Sequence, residues 1–179
     1  MLLESIEHRR SIRKYENSDI QDNIIIELIE SARLAPSGSN SQPWHFVIVK
    51  DAKKKEEIVE NANNQKWMLT APVFIICVAD VSGIIKDKKI EISEDSPEIE
   101  VKDIIRDTTI AAQNIVIQAS HIGLGTCYVS WYKQKDIRPI LNIPSDKFVV
   151  CILTVGYANE KPNQRPRKSK EQIIHYELW

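Results

Sequence analysis

The chain is short of net charge, of cysteine and of long apolar runs, and each shortage argues against a class of protein. Lys and Arg total 24 against 25 Asp and Glu, a net charge of -1, which disfavours a nucleic-acid partner. The three cysteines, Cys77, Cys127 and Cys151, stand far apart with no CxxC pair. An odd count without metal-ligand spacing argues against a disulfide framework or a zinc site, and reads as buried free thiols in a reducing compartment. No apolar run approaches membrane-spanning length, and Met1-Leu2-Leu3-Glu4-Ser5-Ile6-Glu7 has acids where a signal peptide needs basic residues. A cytoplasmic location with no membrane partner is therefore expected. The histidines, His8, His45, His121 and His175, are scattered without ligand spacing and offer no metal candidate. The pair Gly123 and Gly125 stops short of a dinucleotide fingerprint, because G-x-G-x-x-G fails at Tyr128 and a helix, not a strand, precedes it.

What is present is a chain of 179 residues, long enough for one domain with a substantial core and free of repeats and internal linkers. Residues 1–179 are expected to form one α+β domain. Residues 2–8 suit a short helix, and Asn17-Ser18-Asp19 reads as a capping cluster. After it, Ile24, Ile25, Leu28, Ile29, Ala32 and Ala35 repeat at helical spacing, and Pro36 ends that helix. His45 to Val49 reads as a strand, with Asp51 capping a charged helix over 53–59. Val73 to Ala79 is apolar throughout and predicts a strand covered on both faces, in the middle of a sheet. From Ile104 to Ile122 the spacing predicts a long helix apolar nearly all round, buried in the domain or in a subunit interface, with Gly123 at its C′ position. Residues 126–132 and 147–156 predict strands, and 133–141 a short helix. Ser169 and Gln172 form a capping-box pattern before an apolar end, Ile173, Ile174, Tyr176, Leu178 and Trp179, which must pack on something. Between Asp80 and Asp103 the periodicity fades into mixed charge and predicts a mobile surface excursion.

Three stretches carry candidate chemistry. Arg9-Arg10-Ser11-Ile12-Arg13 places three guanidiniums and a hydroxyl in five residues. A guanidinium is a planar fork of donors that stays charged, so a cluster suits a phosphate. The plain alternative is a solvated surface, with Glu4, Glu7 and Glu16 as counter-charges. A helical conformation would put Arg9 and Arg13 on one face and turn Arg10 away. Pro36-Ser37-Gly38-Ser39-Asn40-Ser41-Gln42-Pro43-Trp44 is polar without charge: either a connection chosen for turn chemistry, or a ligand loop that Gly38 lets approach closely. The tail Pro162 to Lys168 is extended by its prolines and brings a second arginine pair, Arg165 and Arg167. Trp44, Trp67, Trp131 and Trp179 read as core or interface anchors.

With Asp107 and Ala112-Gln113-Asn114, Gly123-Leu124-Gly125-Thr126-Cys127, and Gly156-Tyr157 ahead of Arg165-Pro166-Arg167, these pieces stand in an order that resembles the FMN-dependent nitroreductase family. The resemblance implies an α+β nitroreductase-like fold, with a central mixed or antiparallel sheet flanked by helices. It also implies an intertwined homodimer with FMN at the interface. Carried onto this chain, it puts the FMN phosphate on Arg9, Arg13 and Arg167, with Arg165 beside them, and Arg10 and Ser11 at the ribityl chain and ring edge. Pro36, Ser37, Gly38, Asn40 and Gln42 would come from the opposite chain, and the backbone at Ser130 and Trp131 would run near the ring. The implied reaction takes hydride from NADH or NADPH through flavin N5 to a nitroaromatic, quinone or similar small acceptor by ping-pong turnover, without a catalytic side chain. A flavin storage or sensor protein, a reductive dehalogenase and a flavin-fragmenting enzyme are alternatives on the same fold. A bulky stretch, Cys127 to Tyr132, stands where relatives carry a small glycine-bearing turn, and the acids between 91 and 100 disfavour anionic acceptors.

Overall fold

Four strands carry the architecture: β1 (Trp44–Val49), β2 (Val73–Asp80), β3 (Gly125–Val129) and β4 (Lys147–Gly156). They form one antiparallel sheet in the order β1-β2-β4-β3, so the apolar run of β2 lies inside it, as its composition predicts. A computed structural model describes residues 1–82, 91–96 and 99–179. The helices are α1 (Glu4–His8), α2 (Asp22–Arg33), α3 (Ala52–Asn61), α4 (Ile99–His121) and α5 (Gln134–Ile137).

Alternation along β2 explains the two layers around the sheet. Val73, Ile75 and Cys77 face a core shared with Leu28 and Ala32 of α2 and with Ala112, Ile115 and Ala119 of α4. Phe74, Ile76 and Val78 face a second core with Ile58 and Val59 of α3 and Ile137 of α5. Successive strand residues point to opposite faces, and each fully buried aliphatic contributes about 1.5 to 3 kcal/mol. Asp51 caps α3 as predicted, its carboxylate accepting from the Lys54 N–H at 2.8 Å.

Several sequence expectations need correction. Asn17-Ser18-Asp19 is no cap: α2 starts after Gln21 without a side-chain cap, while Asp19 accepts from the Ile20 N–H. The same helix stops at Arg33, and Ala35 donates instead to Ala32 in a tight turn. α4 begins at Ile99 rather than Ile104, and within this chain it buries one stripe while Ile110 stays 37% exposed. The helix expected over 133–141 breaks at Pro139, where a 3-10 turn takes over. Of the expected excursion between 80 and 103, residues 83–90, 97 and 98 lie outside the described residues. Its described part is anchored, because Ile92, Val81 and Val101 are buried in a third cluster with Ala79 and Ile104. The Ser169–Gln172 capping box forms, yet Tyr176, Leu178 and Trp179 beyond it are exposed.

Two glycines place the arginine stretch. Gly125 and Gly156 are cross-strand partners at the ends of β3 and β4. A Cβ on Gly125 would fall 2.7 Å from Ile12, and one on Gly156 2.7 Å from Tyr15, so the missing side chains make the trough in which residues 12–15 lie. Buried Tyr15 locks the arrangement, its hydroxyl donating to the Ile12 carbonyl at 2.7 Å and lying 2.7 Å from the Thr154 hydroxyl.

Candidate functional site

Laid in that trough, Arg9 to Arg13 is extended rather than helical. Ser11 bridges Thr126 in parallel fashion, and Ile12 donates to the Thr126 carbonyl at 2.9 Å. Extended backbone puts Arg9, Ser11 and Arg13 on one side, with Ile12 buried on the other. That shared face is felt by the buried Cys127 thiol. Burial pushes the thiol up, Arg13, the Ser11 hydroxyl and Arg9 pull it down, and burial prevails.

The tail supplies the opposite wall. Asn159 donates to the Lys14 carbonyl and Glu16 to that of Tyr157, while the Glu160 carboxylate accepts from the backbone N–H groups of Arg13 and Lys14. A cavity of about 320 Å³ opens between the two segments, lined by Ser11, Arg13, Glu160, Pro162 and Arg165. Arg13 and Arg165, 152 positions apart in the sequence, thus meet across one space.

How the arginines are paired separates them from the others in the chain. Arg33 binds Glu30 at 2.6 Å and Arg106 binds Asp103 at 2.9 Å. Among the described residues, no carboxylate oxygen lies within 4.0 Å of the guanidinium of Arg9, Arg10, Arg13, Arg165 or Arg167. Glu4, Glu7 and Glu16 are not used as counter-charges. Arg10 turns back and donates to the carbonyls of Glu7 and Arg9, both at 2.8 Å, and so closes the end of α1. Arg167 lies exposed outside the cavity lining and donates to the carbonyls of Arg165 and Pro166 at 3.3 Å.

The polar loop sits elsewhere. The Gly38 N–H donates to Asp107 of α4 at 2.9 Å, and the Gln42 N–H to the Ser37 hydroxyl at 3.0 Å. Asp107 precedes the end of α4 by fourteen residues, about 21 Å of helix, whereas the arginines gather near the start of β3 just past that end. Within one chain the structure does not bring Pro36, Ser37, Gly38, Asn40 and Gln42 to the arginine cavity. Ser39, Asn40 and Gln42 adopt left-handed backbone, with φ of 50°, 55° and 49°. Such non-glycine strain costs on the order of 1 to 3 kcal/mol per residue and gathers at ligand-binding segments.

Ser130 and Trp131 follow β3. Thr126 to Ser130 spans about 13 Å at 3.3 Å per residue, a direct path away from the arginines. Both are exposed, and Trp131, 69% exposed, lines a separate cleft of about 790 Å³ with Tyr132 and Glu60. Sequence reading missed Glu160, which looks like any tail acid, and the pairing of Gly125 with Gly156, which only strand register reveals. Gln113 and Asn114, singled out in the sequence, hold the frame: Asn114 donates to the Ser31 carbonyl of α2, and Gln113 accepts from the Tyr128 hydroxyl.

Comparison with known proteins bears on the family of the chain. The model of the nitroreductase family matches residues 6–65 and 54–157. A protein of Methanothermobacter thermautotrophicus, provisionally named NADH dehydrogenase/NAD(P)H nitroreductase, is 31% identical over 182 residues, spanning 99% of this chain and 87% of its own. The solved FMN-dependent nitroreductase of Clostridium difficile superposes with a TM-score of 0.80 at 26% identity, covering 98% of each chain. The NADPH:FMN oxidoreductase of Vibrio harveyi, solved with NAD+, gives a TM-score of 0.87 at 25% identity over 98% of this chain and 76% of its own. By sequence and fold, the chain belongs to the nitroreductase family.

Proposed function

We propose that the protein is an FMN-dependent oxidoreductase that moves electrons from NADH or NADPH to a nitroaromatic, quinone or similar small acceptor. One observation carries this reading: Ser11, Arg13 and Arg165 line a single cavity, and both guanidiniums lack a carboxylate partner among the described residues. Unpaired guanidiniums on a common space fit a dianionic phosphate, which accepts several charge-assisted hydrogen bonds at once. Flavin, when bound, supplies the hydride and electron chemistry, and the protein supplies position and electrostatics.

On this reading Arg13 and Arg165 grip the phosphate, with Arg9 beside them and Arg167 at the outer rim. Ser11 holds the ribityl chain. Backbone at Ser130 and Trp131 borders the ring at the far end of β3. Arg10 adds positive potential on the ring-edge side, where it favours the anionic, reduced form of the cofactor. Pro36, Ser37, Gly38, Asn40 and Gln42 complete the site from a second copy of the chain, which fits their distance from the arginines within one chain. The exposed Ile173, Tyr176, Leu178 and Trp179 then form an arm covered by that copy. No helix among the described residues is long and apolar enough to cross a membrane. The three free buried thiols fit a reducing, cytoplasmic setting.

The test is a visible absorption spectrum of the purified protein, followed by addition of NADH or NADPH without oxygen. A flavin spectrum that bleaches supports the reading. Bound flavin that stays oxidised points to storage or sensing, and a protein that neither carries nor binds FMN overturns it. Sedimentation separately checks the dimer, where a monomer at micromolar concentration would remove the second-copy assignment.

A further inference from the structure

One aromatic residue outside the cavity has its ring against the group that defines the cavity. The Arg13 guanidinium carbon lies 5.7 Å from the centre of the Trp67 ring. Trp67 belongs to the 3-10 turn Lys66–Thr70, which is fastened to the arginine strand: the Tyr15 N–H donates to the Thr70 hydroxyl at 3.3 Å, and that hydroxyl donates to the Trp67 carbonyl at 2.9 Å. Met68 in the same turn is fully buried, so the platform is anchored in the core. From the tail side, Glu160 holds the Arg13 backbone N–H.

Resting on the FMN reading above, we propose that Trp67 is a positioning residue for the phosphate site. Its ring face, rather than a carboxylate, holds the Arg13 guanidinium and so sets the preference for phosphate-bearing flavin over riboflavin. The chemistry favours this division of labour. A carboxylate would neutralise the guanidinium and occupy its N–H donors, whereas a ring face attracts the cation through its quadrupole and leaves the in-plane donors free. Glu160, the one carboxylate among the described residues that line the cavity, is engaged with backbone N–H groups, and among those residues it meets no guanidinium. Trp67 acts through Arg13 and does not line the cavity itself.

The experiment measures dissociation constants of FMN and of riboflavin by flavin-fluorescence titration, using protein freed of bound flavin. The FMN-to-riboflavin affinity ratio isolates the phosphate subsite. In Trp67→Leu the ratio should fall roughly three- to tenfold, while Trp67→Phe, which keeps a ring, should stay within about twofold of the original protein. In an Arg13→Ala background, Trp67→Leu should leave the ratio unchanged, because the contact is already gone. A Trp67→Leu protein that loses affinity for both flavins equally shows a merely structural role and overturns the proposal. So does a ratio that falls equally with and without Arg13. If Trp67→Leu does not fold, Trp67→Met, which keeps apolar bulk without a ring, takes its place, and a ratio within about twofold of the original protein overturns the proposal. Failure of the underlying reading looks different: the unmodified protein then binds neither flavin, or binds both alike.

Discussion

Arg13 and Arg138 carry the same side chain and do opposite work. The Arg138 guanidinium is buried, 5% exposed, and one of its nitrogens donates to the carbonyls of Ile92, Ser145 and Lys147 at 2.7, 2.7 and 3.0 Å, with Glu91 at 3.6 Å. It ties residues 91–96 to the turn before β4, with one terminal nitrogen fully engaged by carbonyls. Arg13 is exposed, rests on an aromatic ring and turns unoccupied donors toward a cavity. A buried guanidinium bonded to carbonyls holds the fold together, whereas an exposed one keeps its donors available to a ligand.

The widest separation between them should be in stability. Arg138→Met strands three carbonyls in or near the core and should cost about 3 kcal/mol or more, read as a lower urea midpoint, since each unsatisfied buried group costs about 1 to 3 kcal/mol. Arg13→Ala, in contrast, should leave the urea midpoint within about 0.5 kcal/mol of the original while weakening FMN by about 1.5 to 3 kcal/mol, more at low salt than at high. Arg9→Ala belongs with it, and an unchanged FMN affinity there would remove Arg9 from the phosphate. If instead Arg13→Ala destabilises as much as Arg138→Met, the contrast between the two regions collapses.

Lys147 extends the satisfied side of the comparison. It binds Asp80 at 2.6 Å and Asp146 at 3.0 Å, and Asp80 also receives the Ser82 N–H and approaches His45 at 3.2 Å. Burial pushes the Asp80 carboxyl up, but Lys147 and Ser82 more than offset it and hold it well below the ordinary carboxylate range. A carboxyl lowered in the folded state adds stability above its unfolded value, near 3.9, and loses it as pH falls toward the lowered one. Asp80→Asn should therefore cost about 1 to 2 kcal/mol at pH 7, with the deficit shrinking in urea titrations below about pH 4. The smallest effect should be that of Arg167→Ala: under about 0.5 kcal/mol on stability, and on FMN affinity less than Arg13, because its head lies outside the cavity lining.

Much of the frame was legible because it follows local periodicity. The unbroken apolar run of β2, the Asp51 cap, the ten-residue strand β4 and the Ser169–Gln172 box rest on neighbours in sequence, and all four form. The site was legible as composition only. Three arginines in five residues suited an anion or a solvated surface, but their extended geometry follows from Gly125 and Gly156 lying opposite one another, a register that no local pattern encodes. Arg138 drew no notice, since nothing in Lys133 to Leu141 says that one cation turns inward to meet three carbonyls. Asn17-Ser18-Asp19 misled for the converse reason, because Asp19 found its own chain neighbour and Lys50 instead of a helix end.

By itself the sequence determined the residue classes, the α+β elements with most of their limits, and the presence of arginine clusters near both ends of the chain. Only the tertiary structure decided that Arg13 and Arg165 share a cavity, that Trp67 supports one of them, and that the polar loop lies along α4 away from both. The physical reason is range: backbone propensity and side-chain alternation act over a few residues, whereas a ligand site is closed by contacts between segments more than a hundred residues apart.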